Sequence, residues 1–229
     1  MNKDFILSNV AWSQKEAHSF LGETLYFNIN PTEIKLQIRK TNLVRGDTLQ
    51  DKIFFDFFII GGDWDKCGTP FSQDHDFKLM LDLFNYRKDF RDSPSYKFDV
   101  NRIREGLFQK DYLGKPMFTN KALEDNYNYY LGLLNSIEKS GYMNSAKSPK
   151  INGDEPIGVS ISSNGEFFHF RTGHHRLATA QILNLSEIPI KIQLVHMDWI
   201  NINTSVWEFD YKSLVKSKLK SFKEQYEKK

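Results

Sequence analysis

Two clusters and one isolated side chain in this 229-residue chain stand where they can do chemistry. The first cluster is Thr172-Gly173-His174-His175-Arg176, in which a glycine breaks an alternating pattern and three basic or potentially basic residues follow it directly. Such a run suits an anion. Gly173 lets a charged ligand approach the main chain with no Cβ in the way, and Arg176 can engage two oxygens of a phosphate at once. The second cluster is Asp63 and Asp65, delivered by Gly61-Gly62 in the run GGDWD. Carboxylates on a glycine loop can deprotonate or orient an acceptor hydroxyl, or hold a divalent ion such as Mg2+. The isolated side chain is Cys67, the only cysteine. Its surroundings, KCGTP, supply neither a helix start nor a basic pair to lower a thiol pKa. One cysteine also excludes an intrachain disulfide framework and a cysteine-based zinc site.

Each cluster has a plainer alternative. Histidines and arginines at a helix end often meet only water. GGDWD is also what a turn looks like when Asp caps local N–H groups and Trp64 plugs the core. Asp154 and Glu155, just before a strand expected over 157–162, compete with Asp63 and Asp65 for the role of base.

The elements around the basic run follow one another without a gap. Phe168 and Phe170 alternate with His169 and Arg171 as a half-buried strand does, and Thr172-Gly173 ends the pattern. Leu177, Ala180 and Leu183 then recur at helical spacing, with Ala178, Ile182 and Leu185 widening the stripe and Asn184 placed for a C-cap. The helix therefore begins at His174–Arg176, where unpaired N–H groups and the positive end of the dipole favour an anion. A second strand carries Ile188, Ile190, Ile192 and Leu194 on one face, with Pro189 tolerated near its start. Upstream, Ile157, Val159 and Ile161 alternate, and Asn164-Gly165 predicts a type I′ hairpin turn into the first strand.

Elsewhere the patterns are coarser. Ile53, Phe55, Phe57 and Ile59 lie opposite Phe54, Phe58 and Ile60, which predicts a central strand covered on both faces and ending at Gly61-Gly62. ETLYFNIN and IKLQIRK, either side of Pro31, suggest an extended antiparallel start. Residues 73–143 read as a helical insertion whose last helix has Asn120 as N-cap, Gly141 as stop and tyrosines used for packing. The segment 211–229 is a basic amphipathic helix with a largely solvated face.

The run TGHHRLATAQILNLSEIPIKI, with EPIGVSIS before it, resembles the nucleotide-binding segment of the ParB/sulfiredoxin superfamily. There a glycine, a basic cluster ending in arginine, an alanine-containing helix and an IPV-type strand recur. The resemblance covers about residues 150–196. It implies an α+β fold with a mixed sheet and flanking helices: a single domain over 1–229, a core from 50–66 and 150–196, a helical insertion over 73–143 and a C-terminal basic helix over 211–229. It also implies a bound nucleotide, ATP or another, with phosphates held by Thr172, Gly173, His174, His175 and Arg176. Catalysis would fall to His175 with Asp63 and Asp65, an acidic residue in the N-terminal part serving as base in the serine-phosphorylating relative. The same two carboxylates are the candidate Mg2+ ligands. His174 stands where sulfiredoxin carries its reactive cysteine, so sulfiredoxin chemistry is not expected.

The expected activity is thus an ATP- or ADP-dependent phosphotransferase, or an NTPase, acting on a small molecule or a glycan. A partition-like DNA-binding protein and a non-catalytic nucleotide sensor are the alternatives. The first needs a helix-turn-helix after the nucleotide segment, and only one clear helix follows it. Thirty-one Lys and Arg against 29 Asp and Glu leave a net charge of +2, too mild to point to nucleic acid. With no span-length apolar run and no signal-like apolar start, the expected location is cytoplasmic. No GxxxxGK[ST], HExxH or GxSxG run occurs.

Overall fold

Strand-forming Ile, Val and Phe residues concentrate in 157–170 and 188–196, and these segments build the centre of the sheet. The computed structural model describes residues 12–38, 56–107, 109–111, 113–142, 156–200 and 211–227. In chain order the elements are α1 (Gln14–Leu21), β1 (Tyr26–Ile29), β2 (Leu36–Ile38), β3 (Ile59–Ile60), β4 (Thr69–Pro70), α2 (His75–Asn85), α3 (Pro94–Arg104), β5 (Gln109–Lys110), β6 (Pro116–Met117), α4 (Asn120–Ser140), β7 (Ile157–Ile161), β8 (Phe167–Phe170), α5 (His174–Ile182), β9 (Ile188–His196), α6 (Met197–Ile200) and α7 (Tyr211–Glu227). The fold is α+β, with a mixed seven-stranded sheet and a second, two-stranded one. Two compact units are formed. One comprises the described residues of Met1–Phe71, Glu155–Thr172 and Glu187–Lys229, the other those of Ser72–Asp154 and Gly173–Ser186.

The first unit holds the large sheet, in the order β1-β9-β7-β8-β2-β4, with β3 also on β9. β7 runs antiparallel to β8 and parallel to β9, and a bulge at Gln193 shifts the β7–β9 register. β1 and β2 do not pair with each other as an antiparallel start. A 3-10 turn over Pro31–Glu33, capped by the Asn30 side chain, separates them; β1 joins β9 and β2 joins β8. The central strand expected over 53–60 is regular only at Ile59–Ile60, and its first part, 53–55, lies outside the described residues. Its backbone is nevertheless bonded on both sides: the Phe58 N–H donates to Trp12 C=O and the Phe58 C=O accepts from Val195.

β8 is buried along its whole length, His169 included, because strands flank it on both sides and both faces are covered. Ile38, Ile60, Trp64, Phe168, Phe170 and Leu194 form one apolar cluster. A second forms where Phe27 and Phe167 meet Phe222 and Tyr226 of α7. α7 is therefore more than a solvated basic face. It buries Val215 and Leu219 completely, and Lys216, Lys218 and Lys223 donate to the carbonyls of Phe20, Trp199 and Tyr26. Long lysine stems cover apolar surface while their ammonium groups reach acceptors.

The 156–170 hairpin turns differently from the expected type I′. Gly165 has a left-handed φ of 83° while Asn164 does not, and Ser162 bonds Glu166 across a three-residue loop. That is a turn closed by a left-handed glycine bulge.

The second unit packs α2, α3, α4 and α5 with the small β5–β6 ladder. α4 buries Leu123, Tyr127, Leu134 and Ile137, its tyrosine packing against Phe90 and Tyr96. Thr119, one residue before Asn120, is its N-cap and accepts from the Ala122 N–H. Gly141 ends it at φ 70°. α5 buries Leu177 to Ala180, and Asn184 takes a left-handed φ of 52° beyond its end. No described helix is long and apolar enough to cross a membrane.

Candidate functional site

The strand-to-helix turn is held in an unusual backbone conformation. Arg171 has φ 72°, uncommon for a long side chain, and Gly173 has φ 93° and ψ 19°. Non-glycine residues in this region are strained and gather at ligand sites. Thr172 ties the turn to the sheet. Its C=O accepts from the Gly158 N–H and from His169 Nε2, both at 3.0 Å, and its hydroxyl donates to Pro156 C=O while receiving Gln193 Nε2 at 3.4 Å. The Arg171 guanidinium is occupied by Gln14 Oε1 at 2.6 Å. Thr172, a member of the expected phosphate-binding run, thus shapes the turn through its carbonyl and hydroxyl.

Gly173 caps α5 without a side chain, so it offers no acceptor to the amides of the first turn, where His174, His175 and Arg176 sit. This is the geometry in which a helix start receives an anion. Arg176 stands close enough to Tyr142 for its charge to oppose the burial that raises the phenol's pKa.

His175 is the organised member of the run. Its ring stacks on Tyr130 with centroids 3.9 Å apart and planes 20° from parallel. Its Nε2 lies 3.7 Å from Asp76 Oδ1. The same oxygen lies 3.7 Å from Nδ1 of His75, whose Nε2 is 3.8 Å from Asp99 Oδ1. Asp99 is only 3% exposed, and Tyr127 and Gln109 each donate to it at 2.9 Å. Two histidines therefore bracket one carboxylate, and a second carboxylate anchors the outer histidine.

Their charge states diverge. Burial lowers the His175 pKa to about 4, against the attraction of Asp76, and the ring is neutral at pH 7. His75 is raised to about 9, first by Asp76 and then by Asp99, so it is an imidazolium. At separations of 3.7 and 3.8 Å these attractions are electrostatic more than hydrogen-bonded. Burial and then the Asp99 charge push Tyr127 upward; burial and then Asp76 do the same for Tyr130.

Asp63 and Asp65 lie in the other compact unit. Asp63 is exposed and ion-paired with Lys66. The Asp65 side chain is little exposed, with Oδ2 accepting from the N–H (2.9 Å) and hydroxyl (2.5 Å) of Ser163. Burial opposes its ionisation, but Ser163 and nearby His196 outweigh that and hold its carboxyl below the ordinary range. His196 donates to Gly62 C=O at 2.7 Å and Trp64 Nε1 to Ile60 C=O at 3.1 Å, so the GGDWD loop is anchored at several points. Among the described residues no three His, Cys, Asp or Glu side chains could together hold a metal ion. Asp154 and Glu155 lie outside the described residues.

Sequence reasoning missed His75, Asp76, Asp99 and Tyr130. The run Asp74-His75-Asp76 carried one readable signal, an N-cap followed by an acidic first turn; Asp74 does accept from the Asp76 N–H. Compared with known proteins, the chain matches no family model, no curated protein and no solved structure. The ParB/sulfiredoxin resemblance therefore rests on the residues of 150–196.

Proposed function

We propose that this protein binds a nucleotide by its phosphates at the start of α5 and transfers or hydrolyses the terminal phosphoryl group, a small molecule or glycan being the natural acceptor. One observation carries the reading: a left-handed Gly173 with no side chain opens a nine-residue helix whose first turn is His174, His175 and Arg176. Backbone N–H groups, the dipole and the Arg176 guanidinium there favour the same ligand, while His175 is neutral. The resemblance of TGHHRLATAQILNLSEIPIKI to a nucleotide-binding segment supports the same reading. Neutral His175 is suited to accept a proton. Asp63 and Asp65 belong to the other unit, and the proposal does not depend on them.

A thermal-shift panel of ATP, ADP, CTP and GTP, with and without magnesium, tests the binding step. A ligand at 100 times its Kd stabilises the protein by about 2.7 kcal/mol. Arg176→Ala is expected to lose a charge-assisted contact of about 1.5–3 kcal/mol, weakening affinity roughly tenfold to a hundredfold with an unchanged circular dichroism spectrum. No shift with any nucleotide, or equal shifts in parent and variant, contradicts phosphate binding at α5.

A further inference from the structure

We propose that His175, Asp76 and His75 form a proton-transfer relay: His175 accepts the proton of the attacking water or hydroxyl, Asp76 orients His175, and His75 faces the same Asp76 oxygen from the other side. The inference rests on phosphate binding at Gly173–Arg176. Its basis is the shared oxygen. Asp76 Oδ1 is equidistant, at 3.7 Å, from His175 Nε2 and His75 Nδ1. With Nε2 turned toward Asp76, Nδ1 is the nitrogen left to face a ligand, and the Tyr130 stack fixes the plane in which it points.

His75 has a carboxylate on each ring nitrogen, Asp76 and Asp99. Asp99 is in turn fixed by Tyr127 and Gln109. The outer histidine is thereby set as a cation that faces Asp76 without touching the reacting atoms. Asp76 and His75 are positioning residues; His175 is the catalytic one.

The groups facing His175 are Asp74 at the N-cap of α2, His75 and Asp76 in its first turn, Tyr130 from α4 and His174 on its own helix. A resting base must be neutral, and this one is. An anion arriving beside an imidazole raises its proton affinity, so phosphate binding strengthens the base when a proton must be taken. With water as acceptor, its oxygen forms a bond to the terminal phosphorus as the bond to the bridging oxygen breaks. That electron pair leaves with the nucleoside diphosphate, and the water proton passes to His175 Nδ1 and then to solvent. A hydroxyl acceptor follows the same course and ends as a phosphate ester.

The test uses the full chain, ATP and magnesium, with binding by titration calorimetry, ADP release by steady-state kinetics and the His175 pKa from ¹⁵N-histidine spectra. His175→Gln is expected to bind ATP within about threefold of the parent while kcat falls by about 10²–10⁴. Asp76→Asn should lower kcat with little change in KM and move the acid limb of the kcat/KM profile to lower pH, because the imidazolium loses its counter-charge. Saturating ATP should move the His175 pKa upward in the parent. A parent that binds ATP with parental turnover in His175→Gln, or with an unmoved His175 pKa, overturns the relay and leaves the phosphate site standing. Binding without ADP release, both with water as the only acceptor and with a pool of small-molecule and glycan acceptors added, also overturns it and leaves a nucleotide sensor. A parent that binds no ATP overturns both.

Discussion

His75 and His175 sit against the same carboxylate and take opposite charge states because one has two carboxylates around it and the other is enclosed by helices. The consequence for stability has a definite sign. Between about 4 and the ordinary histidine value of 6.5, the unfolded chain takes up a proton that folded His175 refuses, so stability falls as pH drops through that window. Between 6.5 and about 9, folded His75 keeps a proton that the unfolded chain releases, so stability falls as pH rises. Together they place the optimum of these two contributions near pH 6.5. The His175 side chain is 24% exposed, and its share is up to about 3 kcal/mol; His75 is 42% exposed, and solvent screening reduces its share to about 1 kcal/mol or less. Melting temperatures across pH 4–10 should show His175→Gln flattening the acid side and His75→Gln the alkaline side. Parallel parent and variant curves would contradict the assigned charge states. None of this was readable from the sequence, which shows Asp76 and His175 about a hundred positions apart and says nothing of their separation in space.

At the scale of elements, local signals were the more legible. The strand, glycine, helix and strand from Phe167 to His196 stand where alternation and helical spacing place them, although β8 and nearly all of β9 are buried on both faces, with His169, Lys191 and Gln193 inside, and Gly141 and Asn184 act where a helix stop and cap were expected. Pairing was less legible, because pleat alternation does not say which strand lies alongside: β1 and β2 each found a strand of the 157–196 segment instead of one another. The basic helix α7 shows the same limit. Its lysine spacing reads as a solvated face, whereas the contacts of Val215, Leu219, Phe222 and Tyr226 make it part of the sheet unit's core. Leu219→Ala should therefore cost about 2–5 kcal/mol, as a fully buried leucine does. A change below about 0.5 kcal/mol in urea unfolding would show that α7 contributes no core.

At the scale of the molecule, the sequence suggested one domain in which a glycine loop and a basic helix start share a site. The glycine loop belongs to one compact unit and the helix start to the other, where α5 is grouped with α2, α3 and α4. Composition and periodicity carry no information about which unit a helix joins, and nothing in them singled out Asp76. Within the helical unit, Asp76 is the carboxylate that meets His175, whereas Asp65 fastens the hairpin loop through Ser163. The central claim is that nucleotide phosphates sit at the start of α5. The most direct measurement is an amide ¹H–¹⁵N correlation spectrum of the ¹⁵N-labelled chain titrated with ATP and magnesium. The account predicts that the largest shifts fall on the amides of Gly173, His174, His175 and Arg176 and saturate together with one Kd. A spectrum in which those four amides stay fixed while others, such as Asp63 to Lys66, move would contradict it.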